Sequence, residues 1–352
     1  MTVRVAVVGC GWWSTTAHLP ALRADDRARI SALVDTDPGR LQAAAAAFDV
    51  ESTFDSVPAM LDEAGPDAVV IAVPHAQHHP LAKLALERGA HVLLEKPMTI
   101  EPSHADELVA LTQGRGVELL IDYPWHYNSQ ALTLRRELQE GAIGAIEHIA
   151  CLYASVVREL YRGNPERYRE VFGYAVSAPS HSTYSDPALA GGGQGQTQVT
   201  HAAALMLWLT GLRPRSVAAF TADFELAVDL VDGLLIRFEG GAVASLSSTG
   251  SMPADREEIL RYDLFGRTGH AAFDVNRGTA ALATADGERR LPDLPSDERY
   301  PLHAPVRNLV GVAAGTETNG SPAEIGRDTV VLVDAMYRAA AEERVIELEE
   351  GA

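Results

Sequence analysis

The sequence predicts an α/β protein in two parts: a doubly wound parallel sheet, then an α+β region built on an open, mostly antiparallel sheet. Up to about residue 123, short apolar runs alternate with helical stretches, as in strands joined by crossover helices. Beyond that point, β-branched strands are separated by glycine and charged turns. We therefore expect one domain over residues 1–123 and a second over residues 124–352.

Composition and charge exclude several classes of protein. The 352 residues are enough for two domains with their own cores, and 29 basic against 48 acidic residues give a net charge of −19. A nucleic-acid or anionic-membrane partner would require a basic face, so we expect neither. The two cysteines are too few for a disulfide framework, and because a strand pattern begins close to Met1 we expect no signal peptide. We expect a cytoplasmic protein.

The first strand, residues 3–8, is followed by a glycine turn and a helical stretch that continues to Leu22. Strand, glycine turn and helix in this order form the context of a dinucleotide-binding fingerprint. Gly9 permits the tight turn, and Gly11 lets the backbone approach a pyrophosphate at the helix N-terminus. Ser14 replaces the third glycine and is small enough for close packing. The alternative is an ordinary structural turn.

The second strand, residues 30–34, ends at Asp35, about 20 residues after the glycine turn. A carboxylate there would accept a hydrogen bond from the 2′-hydroxyl of an adenosine ribose and repel a 2′-phosphate. This favours NAD over NADP, although Arg40 on the next helix keeps NADP open. The alternative is an aspartate that caps a turn or a helix before Asp37.

The remaining elements of the first half alternate between helix and strand. Three histidines, at positions 75, 78 and 79, follow the third long strand. They lack acid or thiolate partners at regular spacing, so we expect no metal there. The predicted helices are 41–48, 57–63, 80–88 and 103–113, the last capped by Ser103, and the predicted strands are 53–54, 68–73, 91–94 and 117–121.

The strand 91–94 ends in the segment Glu95-Lys96-Pro97. Ligands of open parallel sheets bind outside the carboxyl ends of the strands, so Glu95 and Lys96 are expected where a ligand would lie. Pro97 cannot continue a central strand and restricts the backbone of Lys96. A solvated Glu–Lys pair at a strand end is the alternative.

Taken together, several segments resemble the glucose–fructose oxidoreductase / inositol dehydrogenase / MocA family. The resemblance continues through the glycines at 141, 144 and 191–193 to the C-terminus. The segments are Val-Val-Gly-Cys-Gly-Trp-Trp with His18 downstream, Val-Asp-Thr-Asp-Pro at 34–38, Asp-Ala-Val-Val-Ile-Ala-Val-Pro-His at 67–75 with His78, and Gly-Ala-His-Val-Leu-Leu-Glu-Lys-Pro at 89–97.

The resemblance implies an NAD(P)-dependent oxidoreductase that acts on a sugar or cyclitol. It also implies a homodimer or homotetramer, a cis Lys96–Pro97 peptide and a catalytic Lys96. No metal is expected in the site. The cofactor contacts that it implies are Gly9, Gly11, Trp12, Trp13, Asp35, Pro74, His75, His78, Glu95 and Lys96.

The second half reads as strands and turns, with a domain boundary near Tyr123-Pro124. The turn Glu239-Gly240-Gly241 is a good hairpin signal. The predicted strands are 146–157, 216–221, 230–238, 243–248 and 259–265, and the predicted helices are 202–209 and 329–341.

Residues 191–201 carry the chemistry expected of the second half. The resembled family usually has aspartate at the position of Thr197 and histidine at that of His201. If the helix has begun by Thr197, the spacing of four places both side chains on one face. The resemblance implies that His201 passes on a proton, and Thr197 can only orient or relay one. The alternative is a structural histidine at the start of a helix, with its ring nitrogens hydrogen-bonded within the protein.

Several further residues are expected to contact the substrate. The resembled family usually carries arginine near the position of His126, and this departure concerns the substrate more than the fold. Gln196 and Gln198 offer amide groups suited to a polyol. The polar loop 177–190 lies over the site or is an ordinary surface loop. The expected substrate-binding residues are Tyr123, His126, Gln196, Gln198 and His201.

The most consistent function is NAD-dependent oxidation of a secondary alcohol of a sugar or cyclitol, or the reverse reduction. In one alternative, transient oxidation by bound NAD cleaves a glycosidic bond without net redox change. In the other, the protein binds the nucleotide as a sensor and catalyses nothing.

Overall fold

The computed structural model describes residues 2–348 and contains two sheets, as the sequence predicts. The first is six-stranded and entirely parallel, in the order β3-β2-β1-β4-β5-β6 of a doubly wound nucleotide-binding fold. Its strands are β1 (Val3–Val8), β2 (Ala28–Val34), β3 (Thr53–Phe54), β4 (Ala68–Ile71), β5 (His91–Leu94) and β6 (Leu119–Ile121).

Helices connect these strands and cover both faces of the sheet. The first begins with a π-helical turn, Ser14–His18, and α2 is capped by Asp37, whose side chain accepts from the backbone N–H of Arg40 at 2.9 Å. The predicted cap at Ser103 is wrong, because α5 begins one residue earlier and no side chain caps it. The helices are α1 (Leu19–Arg23), α2 (Pro38–Phe48), α3 (Val57–Ala64), α4 (His78–Glu87) and α5 (Pro102–Thr112).

The continuous apolar runs of β4 and β5 lie in the middle of the sheet, where both faces are covered. Every residue of β4 is buried, as are the last three of β5. Both strands therefore end at the same edge, with Glu95 and Lys96 directly beyond β5. The Lys96–Pro97 peptide is cis, as the resemblance implies.

The second sheet has nine strands in the order β14-β13-β12-β11-β7-β10-β9-β8-β15. All neighbours are antiparallel except β7 and β10. The sequence did not indicate β12 to β14, which are short and rich in alanine, glycine or charge. The strands are β7 (Ile146–Ala154), β8 (Pro214–Ala222), β9 (Val231–Phe238), β10 (Val243–Thr249), β11 (Ile259–Gly266), β12 (Gly269–Asp274), β13 (Thr279–Thr284), β14 (Gly287–Arg290) and β15 (Ile346–Glu347).

Helices of the second half join the two sheets. Val306, Leu309 and Val310 of α11 pack into the core of the first sheet, so this segment returns to the first half. Among residues 2–348, no helix is long and apolar enough to cross a membrane. The helices are α6 (Ser129–Gln139), α7 (Arg158–Tyr161), α8 (Arg169–Phe172), α9 (Pro187–Ala190), α10 (Thr200–Thr210), α11 (Ala304–Ala313) and α12 (Ala323–Glu342).

Candidate active site

The turn after β1 contains two glycines with different structural roles. Gly9 has φ +90°, and a Cβ atom there would lie 2.1 Å from the carbonyl oxygen of Ala72. At Gly11 a Cβ would meet nothing within 4 Å, so protein does not fill the space beside it. The helical run that starts at Trp12 leaves its first N–H groups without partners inside the helix. This turn fits a pyrophosphate group.

Asp35 lies at the carboxyl end of β2, and the protein already holds its carboxylate in place. One oxygen accepts from the backbone N–H of Cys10 at 2.8 Å, and the other accepts from that of Asp37 at 2.8 Å. Nη2 of Arg40 donates to the second oxygen at 2.9 Å. The acid is therefore fixed at the end of the strand with a cation beside it.

A cleft of about 1060 Å³ runs from the glycine turn, past the ends of β4 and β5, to the second half of the chain. Most small-molecule pockets have roughly 300–1,000 Å³, so this cleft has room for a dinucleotide and a small substrate. Twelve of the predicted site residues line it. They are Gly9, Gly11, Trp12, Trp13, Asp35, Pro74, His75, Glu95, Lys96, Thr197, Gln198 and His201.

Lys96 reaches across the cleft to the segment that precedes α10. Its Nζ donates a hydrogen bond to the backbone carbonyl of Thr197 at 3.0 Å. Burial lowers the pKa of Lys96 from its ordinary value, while the nearby carboxyl groups of Glu95 and Asp122 oppose that shift. A desolvated lysine gives up its proton more readily than one in water.

His201, in the first turn of α10, lines the same cleft. Its ring packs edge-on against Trp125, with centroids 5.3 Å apart, and its Nδ1 has no hydrogen-bond partner within residues 2–348. Burial, reinforced by the charge of Lys96, lowers the pKa of His201 well below its ordinary value. The ring is therefore neutral, and the described part of the protein leaves its buried Nδ1 without a hydrogen bond.

Glu95 belongs to a buried cluster that the sequence did not predict. Its Oε1 lies 2.9 Å from Nε2 of His18, and Oδ2 of Asp122 lies 3.8 Å from the same nitrogen. Trp13 covers the cluster, and its indole N–H points at Oδ2 of Asp122 at 3.4 Å. Burial raises the pKa values of both carboxyl groups, and Asp122 is raised further by the charge of Glu95.

His18, Glu95 and Asp122 each offer one atom of a type that can bind a metal ion, and these three atoms lie within 4.8 Å of one another. The distance between Nε2 of His18 and Oε1 of Glu95 is that of a hydrogen bond, so this ring nitrogen already has a partner. The position of Asp122 directly after β6, equivalent to Glu95 after β5, is the signal that could have found it. Both acids lie at the carboxyl edge of the sheet, beside Lys96.

Tyr161, at the end of α7, also lines the cleft and was not predicted. Its hydroxyl contacts Oγ1 of Thr197 and donates toward Oε1 of Gln194 at 3.1 Å. The Thr197 hydroxyl in turn donates to the carbonyl of Gly193 at 2.9 Å. A tyrosine hydroxyl therefore stands beside the threonine that occupies the position of the expected aspartate.

Two family models match the chain and cover most of it. The model described as oxidoreductase family, NAD-binding Rossmann fold (GFO_IDH_MocA) matches residues 3–123, and the GFO/IDH/MocA C-terminal domain matches residues 131–272. The chain belongs to the GFO/IDH/MocA oxidoreductase family. It is an oxidoreductase with an NAD-binding domain in its first half.

Curated relatives of this GFO/IDH/MocA protein include enzymes of sugar and cyclitol metabolism. D-apiose dehydrogenase from Paraburkholderia graminis is 26% identical over 97% of this chain and 89% of its own length. Inositol 2-dehydrogenase 1 from Saccharopolyspora erythraea is 34% identical over 47% of this chain and 50% of its own. A dTDP-3,4-didehydro-2,6-dideoxy-α-D-glucose 3-reductase from Streptomyces antibioticus is 32% identical over 43% and 46%. The latter two matches thus span about half of each relative.

Solved structures share the whole fold at low sequence identity. An oxidoreductase domain protein from Kribbella flavida has a TM-score of 0.84 at 21% identity, covering 99% of this chain and 100% of its own. Levoglucosan dehydrogenase, solved with NADH and levoglucosan, has a TM-score of 0.81 at 19% identity, covering 99% and 100%. These similarities establish the fold.

Four predicted site residues of this GFO/IDH/MocA chain lie outside the cleft lining. Both ring nitrogens of His78 face carbonyl oxygens, at 2.7 Å from Pro97 and 3.0 Å from Val73, and burial lowers its pKa to about 4. Gln196 is buried in the turn before α10 and is not among the residues that line the cleft. The contacts predicted for these two residues do not fit their positions.

Tyr123 and His126 also do not reach the cleft, because the chain after β6 turns into the core. The Tyr123 hydroxyl pairs with that of Thr200 at 3.3 Å. His126 stacks on Trp208, with centroids 4.7 Å apart, and its Nδ1 lies 3.0 Å from the Ser321 hydroxyl. Both side chains brace α10 rather than forming the substrate surface predicted for them.

The three clustered histidines point in different directions. Nδ1 of His75 lies 2.8 Å from the carbonyl of Ala190, so this ring holds the end of the loop 177–190, several residues of which line the cleft. His79 instead faces outward and pairs with Glu107 at 2.6 Å. Tyr184, from the predicted loop 177–190, also lines the cleft and lies 3.3 Å from the indole nitrogen of Trp12.

Proposed function

We propose that this protein interconverts a secondary alcohol and a ketone of a sugar or cyclitol, with NAD as the hydride carrier. The observation that carries this proposal is the convergence of Lys96, Thr197 and His201 on the cleft that also contains the Gly9–Gly11 turn. In this proposal residues 1–123 bind the cofactor, and residues 124–352 bind the substrate and a second copy of the chain.

Lys96 is the residue we assign to the substrate hydroxyl. NAD, when bound, supplies the hydride acceptor for oxidation, and NADH supplies the donor for reduction. The alcohol must lose its proton as the carbon–hydrogen bond breaks, which requires a base within hydrogen-bond reach. A lysine whose pKa is lowered by burial can hold that proton or return it. Its bond to the Thr197 carbonyl orients the amine.

His201 and the Tyr161–Thr197 pair complete the proposed proton path. The neutral His201 ring can accept a proton at one nitrogen and donate from the other. Neither hydroxyl of the Tyr161–Thr197 pair is a useful base near neutral pH, so these groups orient the substrate and relay protons. Gln198 also lines this part of the cleft and offers an amide to a polyol.

We assign NAD rather than NADP as the preferred cofactor. The carboxylate of Asp35 lies where the adenosine ribose is expected, and a 2′-phosphate there would be repelled. Arg40 pairs with this carboxylate, so much of its charge is already compensated. The preference for NAD therefore depends on Asp35, and the pairing with Arg40 makes that preference smaller.

We further propose that the second sheet forms the contact between copies of the chain. Its outer face exposes Leu152, Phe220, Leu235 and Phe265, with 82% of Phe220 accessible. Register relates Leu152 to Phe220 through Ser247 and Gly233 on the intervening strands, so these apolar side chains share one face. Such a face favours a homodimer or homotetramer.

The deciding experiment is a screen of sugars, cyclitols and their keto forms with NAD and NADP, monitored by the absorbance of the reduced nicotinamide. Reduction of NAD by a sugar or cyclitol, with formation of the ketone, supports the proposal. Breakdown of a glycoside without accumulation of NADH would instead indicate cleavage through transient oxidation. Tight binding of NAD with no turnover of any polyol would contradict catalysis.

A further inference from the structure

We propose that Glu258 determines substrate specificity by accepting hydrogen bonds from the sugar, and that the cleft takes sugars without phosphate or carboxylate groups. The inference rests on the proposed function, because it concerns the substrate end of the same cleft. Sugars with hydroxyl or ammonium donors share the required chemistry. Sugar phosphates, uronates and nucleotide sugars carry in addition an anionic group, for which the described residues at this end of the cleft offer no cationic side chain.

The distribution of charge along the cleft is the first observation. Among the described residues, Glu258 is the one carboxyl group that the second half of the chain contributes to the lining, and no lysine or arginine of that half lines it. Recognition of a phosphate or carboxylate normally uses arginine or lysine. The described residues at this end of the cleft therefore include no cationic side chain that could pair with an anionic group of a ligand.

The cations of the first half are already engaged. Arg40 lies at the other end of the cleft and pairs with Asp35. Lys96 donates to the carbonyl of Thr197 and lies near the acidic side chains of Glu95 and Asp122. A single lysine that must exchange a proton cannot also neutralise a dianionic phosphate, so it does not supply the missing site.

Glu258 itself is held by the backbone and faces the ligand space. It precedes β11, and its Oε1 accepts from the backbone N–H of Val156 at 3.0 Å. Within residues 2–348 no cationic side chain lies within salt-bridge distance of it, while its neighbour Glu257 pairs with Arg299. Burial raises the pKa of the Glu258 carboxyl. A donor from a ligand would compensate the acceptor that the protein leaves open.

Asn276 provides a second acceptor in the same wall. Its Oδ1 is buried and has no hydrogen-bond partner within the described part of the chain. The N–H of Val275 donates to the carbonyl of Leu260 at 2.8 Å, which holds Asn276 beside the strand that Glu258 precedes. Among the described residues, Glu258 and Asn276 thus each have an oxygen without a donor in this wall, which favours a ligand group that donates, whereas an added phosphate or carboxylate group can only accept.

Aromatic rings form the rest of this wall. Trp125 packs against Tyr300 at 5.1 Å and against Tyr153 at 6.0 Å between centroids, and all three line the cleft. The faces of such rings bind the C–H groups of a sugar and also attract an ammonium group. Carboxyl, amide and aromatic groups together thus suit a neutral or an amino sugar.

The test uses several aldoses, each in four matched forms: unmodified, amino, uronate and phosphate. The full-length protein with NAD is assayed for kcat and KM on every form. We expect the unmodified or amino form to exceed both anionic forms in kcat/KM by at least about tenfold, the result of one unfavourable charge contact. The comparison of unmodified with amino forms shows whether a hydroxyl or an ammonium group donates the hydrogen bond to Glu258.

Glu258→Gln keeps the shape of the side chain and removes its charge. We expect it to raise KM for the preferred form by about tenfold, with a smaller change in kcat, and to reduce discrimination against the anionic forms. Glu140→Gln, an exposed change at the end of α6, is the matched control. If the Glu258 variant does not fold, the wild-type comparison of the four forms still decides.

The outcomes separate this inference from the proposed function. A uronate or phosphate as the best substrate would overturn the inference while leaving the oxidoreductase activity intact. Unchanged KM and discrimination in a folded Glu258→Gln variant would overturn the role of Glu258. Failure of every form with every aldose would overturn the inference, and the proposed function would be contradicted only if the cyclitols of the wider screen also failed.

Discussion

The ε-amino group of Lys96 and the backbone carbonyl of Thr197 form a 3.0 Å hydrogen bond across 101 residues of sequence. This bond joins the carboxyl end of a first-sheet strand to the turn that precedes α10. It places the lysine beside His201 and Tyr161 in one cleft. The proposed chemistry depends on this connection.

Replacement of Lys96 by Met should abolish most turnover without weakening NAD binding. The substituted side chain keeps the length but cannot hold a proton, and loss of a general acid–base group costs about 10²–10⁴-fold in rate. Steady-state kinetics with calorimetric titration of NAD would measure both quantities. Lys83→Met is the control, because Lys83 lies on α4 and pairs with Glu107 of α5. Near-normal turnover in Lys96→Met would refute the assignment.

The pH dependence should report the same lysine. Burial lowers its pKa from 10.5, and oxidation of an alcohol needs the unprotonated amine. The rate of oxidation should therefore rise with pH through a pKa below 10.5 and fall as the amine is protonated. The reduction, which needs the protonated form, should show the opposite slope. Measurement of kcat/KM against pH in both directions tests this, and equal slopes would contradict it.

Tyr161→Phe should reduce kcat/KM by about tenfold, the usual effect of one lost hydrogen bond to a reacting or orienting group. The variant removes the hydroxyl that contacts Thr197 and Gln194 while keeping the ring. Tyr262→Phe removes a buried hydroxyl bonded to the carbonyl of Ala202, outside the cleft, and should lower stability rather than activity. Equal activity of wild type and Tyr161→Phe would show that the hydroxyl is not used.

NAD should bind more tightly than NADP, and Asp35→Ala should narrow the difference. The substitution removes the charge that repels a 2′-phosphate and frees Arg40 to bind one. Fluorescence titration with both nucleotides would measure the two dissociation constants. Asp62→Ala, at an exposed ion pair with Arg88, is the control. A wild-type preference for NADP would contradict the role given to Asp35.

Phe220→Asp should shift the protein from an oligomer toward the monomer. It places a charge on the exposed apolar face of the second sheet, at its most accessible side chain, where association would bury the charge without a partner. Light scattering at micromolar concentration would measure the mass of each form. Val345→Asp, at an exposed position outside the strands, should leave the mass unchanged. A monomeric wild type would refute the proposal.

Most of the fold could be predicted from the sequence, because its signals are local. A few consecutive residues are enough to indicate the apolar strands β1, β4 and β5 and the glycine turn after β1. The strands β12 to β14 could not be predicted, because alanine and glycine have little intrinsic preference for a strand. Pairing with β11 and with one another makes them strands.

The site was predictable where it coincides with a strand end and not where it depends on side-chain direction. Lys96 and Glu95 follow from the end of β5, and His201 from the family resemblance. Tyr161, Asp122 and Glu258 come from three separate segments, and no spacing in the sequence relates them. Each reaches the cleft or the neighbouring cluster because of how its segment packs.

The sequence by itself determined the order of strands and helices in the first half, the glycine turn and the identity of the residues beyond β5. These features arise from steric limits and apolar periodicity within a few residues. Only the tertiary structure decided which polar side chains meet. The side chains of Tyr123 and His126 lie in the core against α10. Those of Tyr161 and Glu258, which the sequence did not indicate, line the cleft. A side chain's direction depends on the packing of distant segments, which local periodicity does not specify.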